Sequence, residues 1–180
     1  MSHRFVYHKL GFALRNTTDI DTLSLMRLFG DAMRGWPLRG LRVWVRNSRG
    51  AAFSGTCFDR DNRIYINLSP RLSYPYALAT DIAPAITCRG GWYKPAYTIE
   101  LTGACQLALF VFLHECYHRL VRQAGRNPRY KESMCDRFAA RILIRRFGCT
   151  IRDDTGRRID RGAWDIDDVD GFVRAALHSA

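Results

Sequence analysis

The sequence contains no apolar run long enough for a signal peptide or a membrane span; its longest, 107–113, has the length of a buried helical segment. No membrane partner is expected, and the location implied is the cytoplasm. The six cysteines (Cys57, Cys88, Cys105, Cys116, Cys135 and Cys149) include no CxxC pair, which argues against a zinc ribbon or a thioredoxin-type motif. Without an export signal they are expected to be reduced, several of them packed as small hydrophobes. Internal repeats and low-complexity tracts are also missing. Acidic residues are scarce: 17 Asp and Glu stand against 28 Lys and Arg, for a formal net charge of +11.

What is present is the composition of a folded protein. Hydrophobic residues make up 47% of the chain, charged residues 25% and aromatics 12%, which excludes global disorder. A length of 180 residues suits one domain, 1–180, with a sizeable core. The charge is unevenly spread. Positions 119–161 hold thirteen Arg or Lys and five Asp or Glu, and 164–170 then turns acidic with Asp165, Asp167, Asp168 and Asp170. A basic region of this kind attracts polyanions, nucleic acid first; the plainer reading of the same run is a solvated helix face.

Along the chain, Thr18 or Asp19 is placed to cap a first helix running to about Gly35, with Ile20, Leu23 and Leu28 on its apolar face. Leu41, Val43 and Val45 alternate as in a half-buried strand. Turns at 47–50 and 59–62 lead into strands 52–58 and 64–68, together an expected antiparallel meander. Positions 69–94, with Pro70, Pro75 and Pro84, read as an irregular connection or lid, followed by a short strand at 97–101. The clearest helix covers 103 to about 124, apolar on nearly all sides before His114. The segment 125–128 breaks it, and a further helix from about 129 to 147 ends at Gly148. A last helix is expected at about 167–177. The fold class is α+β, a small sheet with helices packed on one face, and a basic then acidic extension occupies about 148–180.

The chemistry lies in His114-Glu115-Cys116-Tyr117-His118, an HExxH string in the strongest helix. Residues four apart share a helix face, so two imidazoles can grip one ion while Glu115 reaches the water it activates. A catalytic zinc typically takes three protein ligands and leaves one position for water or substrate. The alternative is a helix with two structural histidines. A third ligand follows from helix geometry: if the chain returns antiparallel after 125–128, the rise of about 1.5 Å per residue brings Glu132 level with His118 and Asp136 near His114. Glu132 can then complete the site while Asp136 fixes an imidazole tautomer. Asp136 as third ligand in place of Glu132 is the competing assignment, and for both the plainer reading is a surface carboxylate beside arginines. Tyr117, Tyr130, Tyr93 and Tyr97 are oxyanion donors by type alone. His3, His8 and His178 are expected to be ordinary surface residues.

HExxH followed by Glu132-xxx-Asp136 resembles the gluzincins, the thermolysin-type zinc peptidases. The run Glu132-xxx-Asp136-Arg137-Phe138-Ala139-Ala140-Arg141-Ile142-Leu143 is similar to the ExxAxxFAAxLL pattern of ImmA/IrrE-like peptidases. The order of elements also resembles the minimal SprT-like zincins, which act on DNA-associated proteins, although their third histidine and cysteine-rich ribbon are missing here. The specific match covers 107–143. The resemblance implies a zincin-like fold, a small mostly antiparallel sheet against an active-site helix and a ligand-bearing helix. It further implies Zn2+ on His114, His118 and Glu132, with Glu115 as general base and Asp136 behind the ligands. The activity implied is peptide-bond hydrolysis, on a protein or peptide lying along an edge strand such as 64–68 or 97–101. A basic nucleic-acid-binding module with a structural or vestigial metal site is the alternative, as is a peptidase acting on DNA-bound proteins.

Overall fold

The computed structural model of the protein describes residues 4–127, 131–160 and 171–178. Strands β1 (Val6–Tyr7) and β2 (Ala13–Asn16) pair antiparallel, helix α1 (Thr22–Ala32) follows, and β3 (Arg42–Asn47) returns parallel to β2. The cap of α1 is Asp21, whose carboxylate accepts the Ser24 N–H. Neither Thr18 nor Asp19 caps, because the helix starts only at Thr22; the Thr18 hydroxyl donates to Asn16 and accepts the Ile20 N–H in the turn before it.

The expected meander does not form. Strand β5 (Arg63–Leu68) lies parallel to β3, and β4 (Phe53–Phe58) pairs antiparallel with the far side of β5, giving the order β1-β2-β3-β5-β4. Burial explains the rearrangement. Val43, Val45, Ile64, Ile66 and Leu68 all point into the core, so β3 and β5 belong in the sheet centre. Strand β4, with Ser54, Gly55 and Thr56 at its middle, has less to bury and takes the edge. On the outer face, arginines cover aromatic rings: the Arg46 guanidinium lies 4.2 Å from the Tyr65 ring centre and that of Arg63 lies 5.4 Å from Phe58.

Positions 69–94 are more ordered than their prolines suggest. They contain β6 (Tyr76–Thr80), β7 (Ile86–Cys88) and β8 (Gly91–Tyr93). Strand β6 pairs with β9 (Tyr97–Leu101), which pairs on its other side with β10 (Ile151–Arg152), while β7 and β8 form a separate hairpin. Strands this short show too few alternations for sequence periodicity to find them.

Helix α2 (Ala104–Gln123) is buried along the whole of 107–113, which is why that stretch is apolar on every side. It packs beneath β4 and β5 and against α3 (Glu132–Phe147). Phe112 of α2 stacks on Phe29 of α1 with ring centres 4.1 Å apart. Gly148, at φ +64°, stops α3 in the left-handed conformation that favours glycine. A last helix, α4, covers Gly171–His178; the acidic 164–170 and the expected helix start at 167 lie outside the described residues. The architecture is α+β, a mixed five-stranded sheet and two smaller antiparallel ones with four α-helices among the described residues. No described helix is long and apolar enough to cross a membrane.

Candidate metal centre

His114 and His118 stand one turn apart on α2 with their Nε2 atoms 3.2 Å from each other. Glu132 opens α3 directly opposite. One carboxylate oxygen lies 3.0 Å from His114 Nε2 and the other 3.4 Å from His118 Nε2. Asp136, one turn along α3, meets the other edge of the His114 ring, with Oδ1 2.8 Å from Nδ1. Its Oδ2 accepts the backbone N–H of Asp81 at 2.7 Å. The two acidic residues between which the sequence left a choice therefore fall on opposite sides of one imidazole.

That arrangement fixes a protonation pattern. Asp136 accepts on both oxygens, so the hydrogen bond to His114 assigns its proton to Nδ1. Nε2 is left with a lone pair, facing the Glu132 carboxylate and the second imidazole. A proton on His118 Nε2, a second proton on His114 or a metal ion between the groups would each satisfy these facing acceptors. Burial by itself lowers the His114 pKa, but the hydrogen bond and charge of Asp136, joined by Glu115 and Glu132, outweigh it and hold the group above its ordinary value.

The Asp136 contact is itself braced. Ser133 Oγ and Lys94 Nζ both donate to the Asp81 carbonyl, at 2.7 and 2.8 Å, and Arg137 Nε donates to the Ile82 carbonyl. The segment after β6 is thus tied to the face of α3 that carries the acidic pair. Nothing in the sequence marked Asp81, because its contribution is a backbone N–H.

Glu115 projects from α2 toward the edge strand β4. It is 8% exposed and accepts the Cys57 N–H. Burial pushes its carboxyl up to about 7; His114 and the Cys57 hydrogen bond oppose that shift, while the charges of Glu132 and Asp59 add to it. Gly55 makes the room. A Cβ there would lie 2.3 Å from Glu115 Oε1 and 2.8 Å from Val111 Cγ1. Gly55→Ala is therefore expected to cost about 1–3 kcal/mol of stability from overpacking and to dislodge Glu115. Gly50→Ala meets nothing within 4 Å and should stay within about 0.5 kcal/mol. Denaturant unfolding of the two variants side by side checks this, and equal stabilities would refute the close packing of Gly55 on Glu115.

Cys135 joins the same cluster: its Sγ and one ring nitrogen each of His114 and His118 all lie within 4.8 Å of one another. Its place in the sequence, outside any CxxC pair, gives no sign of this. Burial raises the thiols of Cys57, Cys116 and Cys135 well above the ordinary cysteine range, so all three are neutral in the metal-free protein.

The oxyanion donors suggested by residue type fare differently. Tyr117 is fully buried with its ring on Phe138, centres 5.0 Å apart, and belongs to the core, out of reach of a substrate. Tyr97 is also buried, whereas Tyr93 is exposed on the β7–β8 hairpin. Tyr130 and His3 lie outside the described residues, as does the side chain of His178. His8, half-buried, stacks on Phe12 and accepts the Leu10 N–H, in a space that Gly30 leaves open.

Among the described residues of the basic stretch 119–161, not every cation faces solvent. Arg119 and Arg141 are buried, and Arg119 donates to Asn62 and to the Pro37 carbonyl. Arg122 pairs with Asp59, Arg152 with Glu100 and Arg157 with Asp153. Nor do the two edge strands expected to receive a peptide have a free side: β5 lies between β3 and β4, and β9 between β6 and β10. Among the described residues, the free edge beside Glu115 is β4.

The donor set suits zinc. Two nitrogens held at 2.0–2.1 Å by a tetrahedral ion stand about 3.3 Å apart, close to the 3.2 Å separation of the two Nε2 atoms. Comparison of the chain with family models, with curated proteins and with solved structures finds no match.

Proposed function

We propose that this protein is a zinc-dependent metallopeptidase with a gluzincin-like, zincin-type centre: His114, His118 and Glu132 hold the ion, Glu115 is the general base and Asp136 orients His114. The observation that carries the reading is the approach of the Glu132 carboxylate to the lone-pair edge of His114, at 3.0 Å, while the proton of that ring is committed to Asp136. Zinc, when bound, supplies Lewis-acid polarisation of water and of a substrate carbonyl. The remaining steps belong to the chain. Glu115 takes the proton of the attacking water and passes it to the departing amine. Asp136 and the Asp81 N–H hold the His114 ring in one orientation. An extended peptide adds to the free edge of β4, bringing its carbonyl beside Glu115.

Metal analysis of the purified chain tests the assignment. Wild type is expected to retain stoichiometric zinc and His118→Ala to lose it. Glu132→Ala should weaken zinc binding more than Asp136→Ala, for which a loss of about 10–100-fold is expected of a residue that orients a ligand. A wild-type protein that takes up no divalent metal, or a His118→Ala variant that binds it equally well, ends this reading.

A further inference from the structure

Cys135 is a potential metal donor that the mechanism above leaves unused. On α3, with about 100° of turn per residue, positions 132, 135 and 136 share one face. That face is the one turned to His114 and His118. Glu132 is extensively exposed, its side chain at 59%, but Cys135 is fully buried beneath it. A sulfur at about 2.3 Å and a nitrogen at about 2.0 Å on one tetrahedral zinc stand roughly 3.6 Å apart. The separations here are at most 4.8 Å, a difference that a small side-chain adjustment covers.

We propose that Cys135 is a fourth protein donor to the same ion, binding as thiolate to give a resting centre closed by His114, His118, Glu132 and Cys135. The proposal rests on the metal centre inferred above and concerns its regulation. Coordination replaces the S–H bond with a sulfur–metal bond and releases one proton to solvent. A centre with four protein donors has no position for water, as in structural zinc sites. Hydrolysis then requires the thiolate to leave, and the cysteine acts as a brake on the peptidase.

Cobalt(II) substitution of the full-length protein tests this without relying on activity. Wild type loaded with cobalt is expected to show a sulfur-to-cobalt charge-transfer band in the near ultraviolet. Cys135→Ser and Cys135→Ala should lose that band while keeping the visible d–d bands of bound cobalt. Peptide hydrolysis by the zinc-loaded Cys135→Ala protein should rise. Cobalt bound to wild type without the charge-transfer band overturns the proposal, as does a band that persists in both variants. Absence of any cobalt or zinc binding to wild type removes the metal centre itself, an outcome distinct from bound metal lacking sulfur.

Discussion

Glu115→Gln is expected to lower peptide hydrolysis by about 10²–10⁴-fold, the usual range for removing a general base, with zinc content unchanged. The side chain keeps its shape, and the amide oxygen can still accept the Cys57 N–H that holds Glu115 against β4. No ligand proposed for the ion is altered. What disappears is the ability to take a proton. Two measurements on one preparation, metal content and turnover of a peptide substrate, separate this from a folding defect. A variant with full zinc and wild-type turnover would show that Glu115 is not the base, and the remaining carboxylates of the cluster are already committed to imidazoles.

The second large effect concerns the metal-free protein. Glu115 has its folded pKa raised to about 7 from an ordinary value of 4.5, so the fold favours the protonated acid. The sign follows directly. The stabilising contribution is complete below about pH 4.5, declines as pH rises, and is gone above about pH 7. A shift of that size corresponds to roughly 3 kcal/mol, and at 8% exposure little of it is screened by solvent. Glu115→Gln remains neutral throughout. The chelated variant should therefore match chelated wild type near pH 4.5 and exceed its unfolding free energy by up to about 3 kcal/mol at pH 7.5. His114 and Glu115 act on each other's charge, so the His114 titration is not the same in the two proteins and is followed separately by NMR. Urea unfolding at several pH values is the check, and parallel stability curves for the two proteins would contradict the buried acid. Added zinc favours the carboxylate and should narrow the gap.

The two effects have opposite signs. The substitution that removes the proposed chemistry also relieves the metal-free fold, as expected where a charged group is held in a site too dry for it. Gly55 makes the same point from the other side of the cleft. Its missing side chain leaves space for a carboxylate that β4 would otherwise exclude, and β4 is also the strand proposed to receive substrate.

How far the site was legible depends on how local each contact is. His114, Glu115 and His118 lie within one turn and a half of a strongly apolar helix, so spacing alone brings the two imidazoles together. Glu132 and Asp136 were reached by counting residues up α2 and back along α3, and the two carboxylates do meet the His114 ring, on its two edges. The order of β3, β4 and β5 was not legible. Their alternation is equally compatible with a meander, and the choice turns on which strands have most to bury against helices distant in sequence. The place of Tyr117 was not legible for a related reason: the residue next to His118 on the helix points about 100° away, here into the core.

The sequence by itself determined the α+β class, the two central helices, the stop at Gly148 and the meeting of His114, His118, Glu132 and Asp136, because each follows from the periodicity and chemistry of near neighbours. Only the tertiary structure decided that β4 forms the free edge, that Glu115 is buried against it over Gly55, that Asp81 braces Asp136, and that Cys135 lies within reach of the histidines. Those facts depend on which surfaces exclude water together, a property of the packed chain that no local run of residues records.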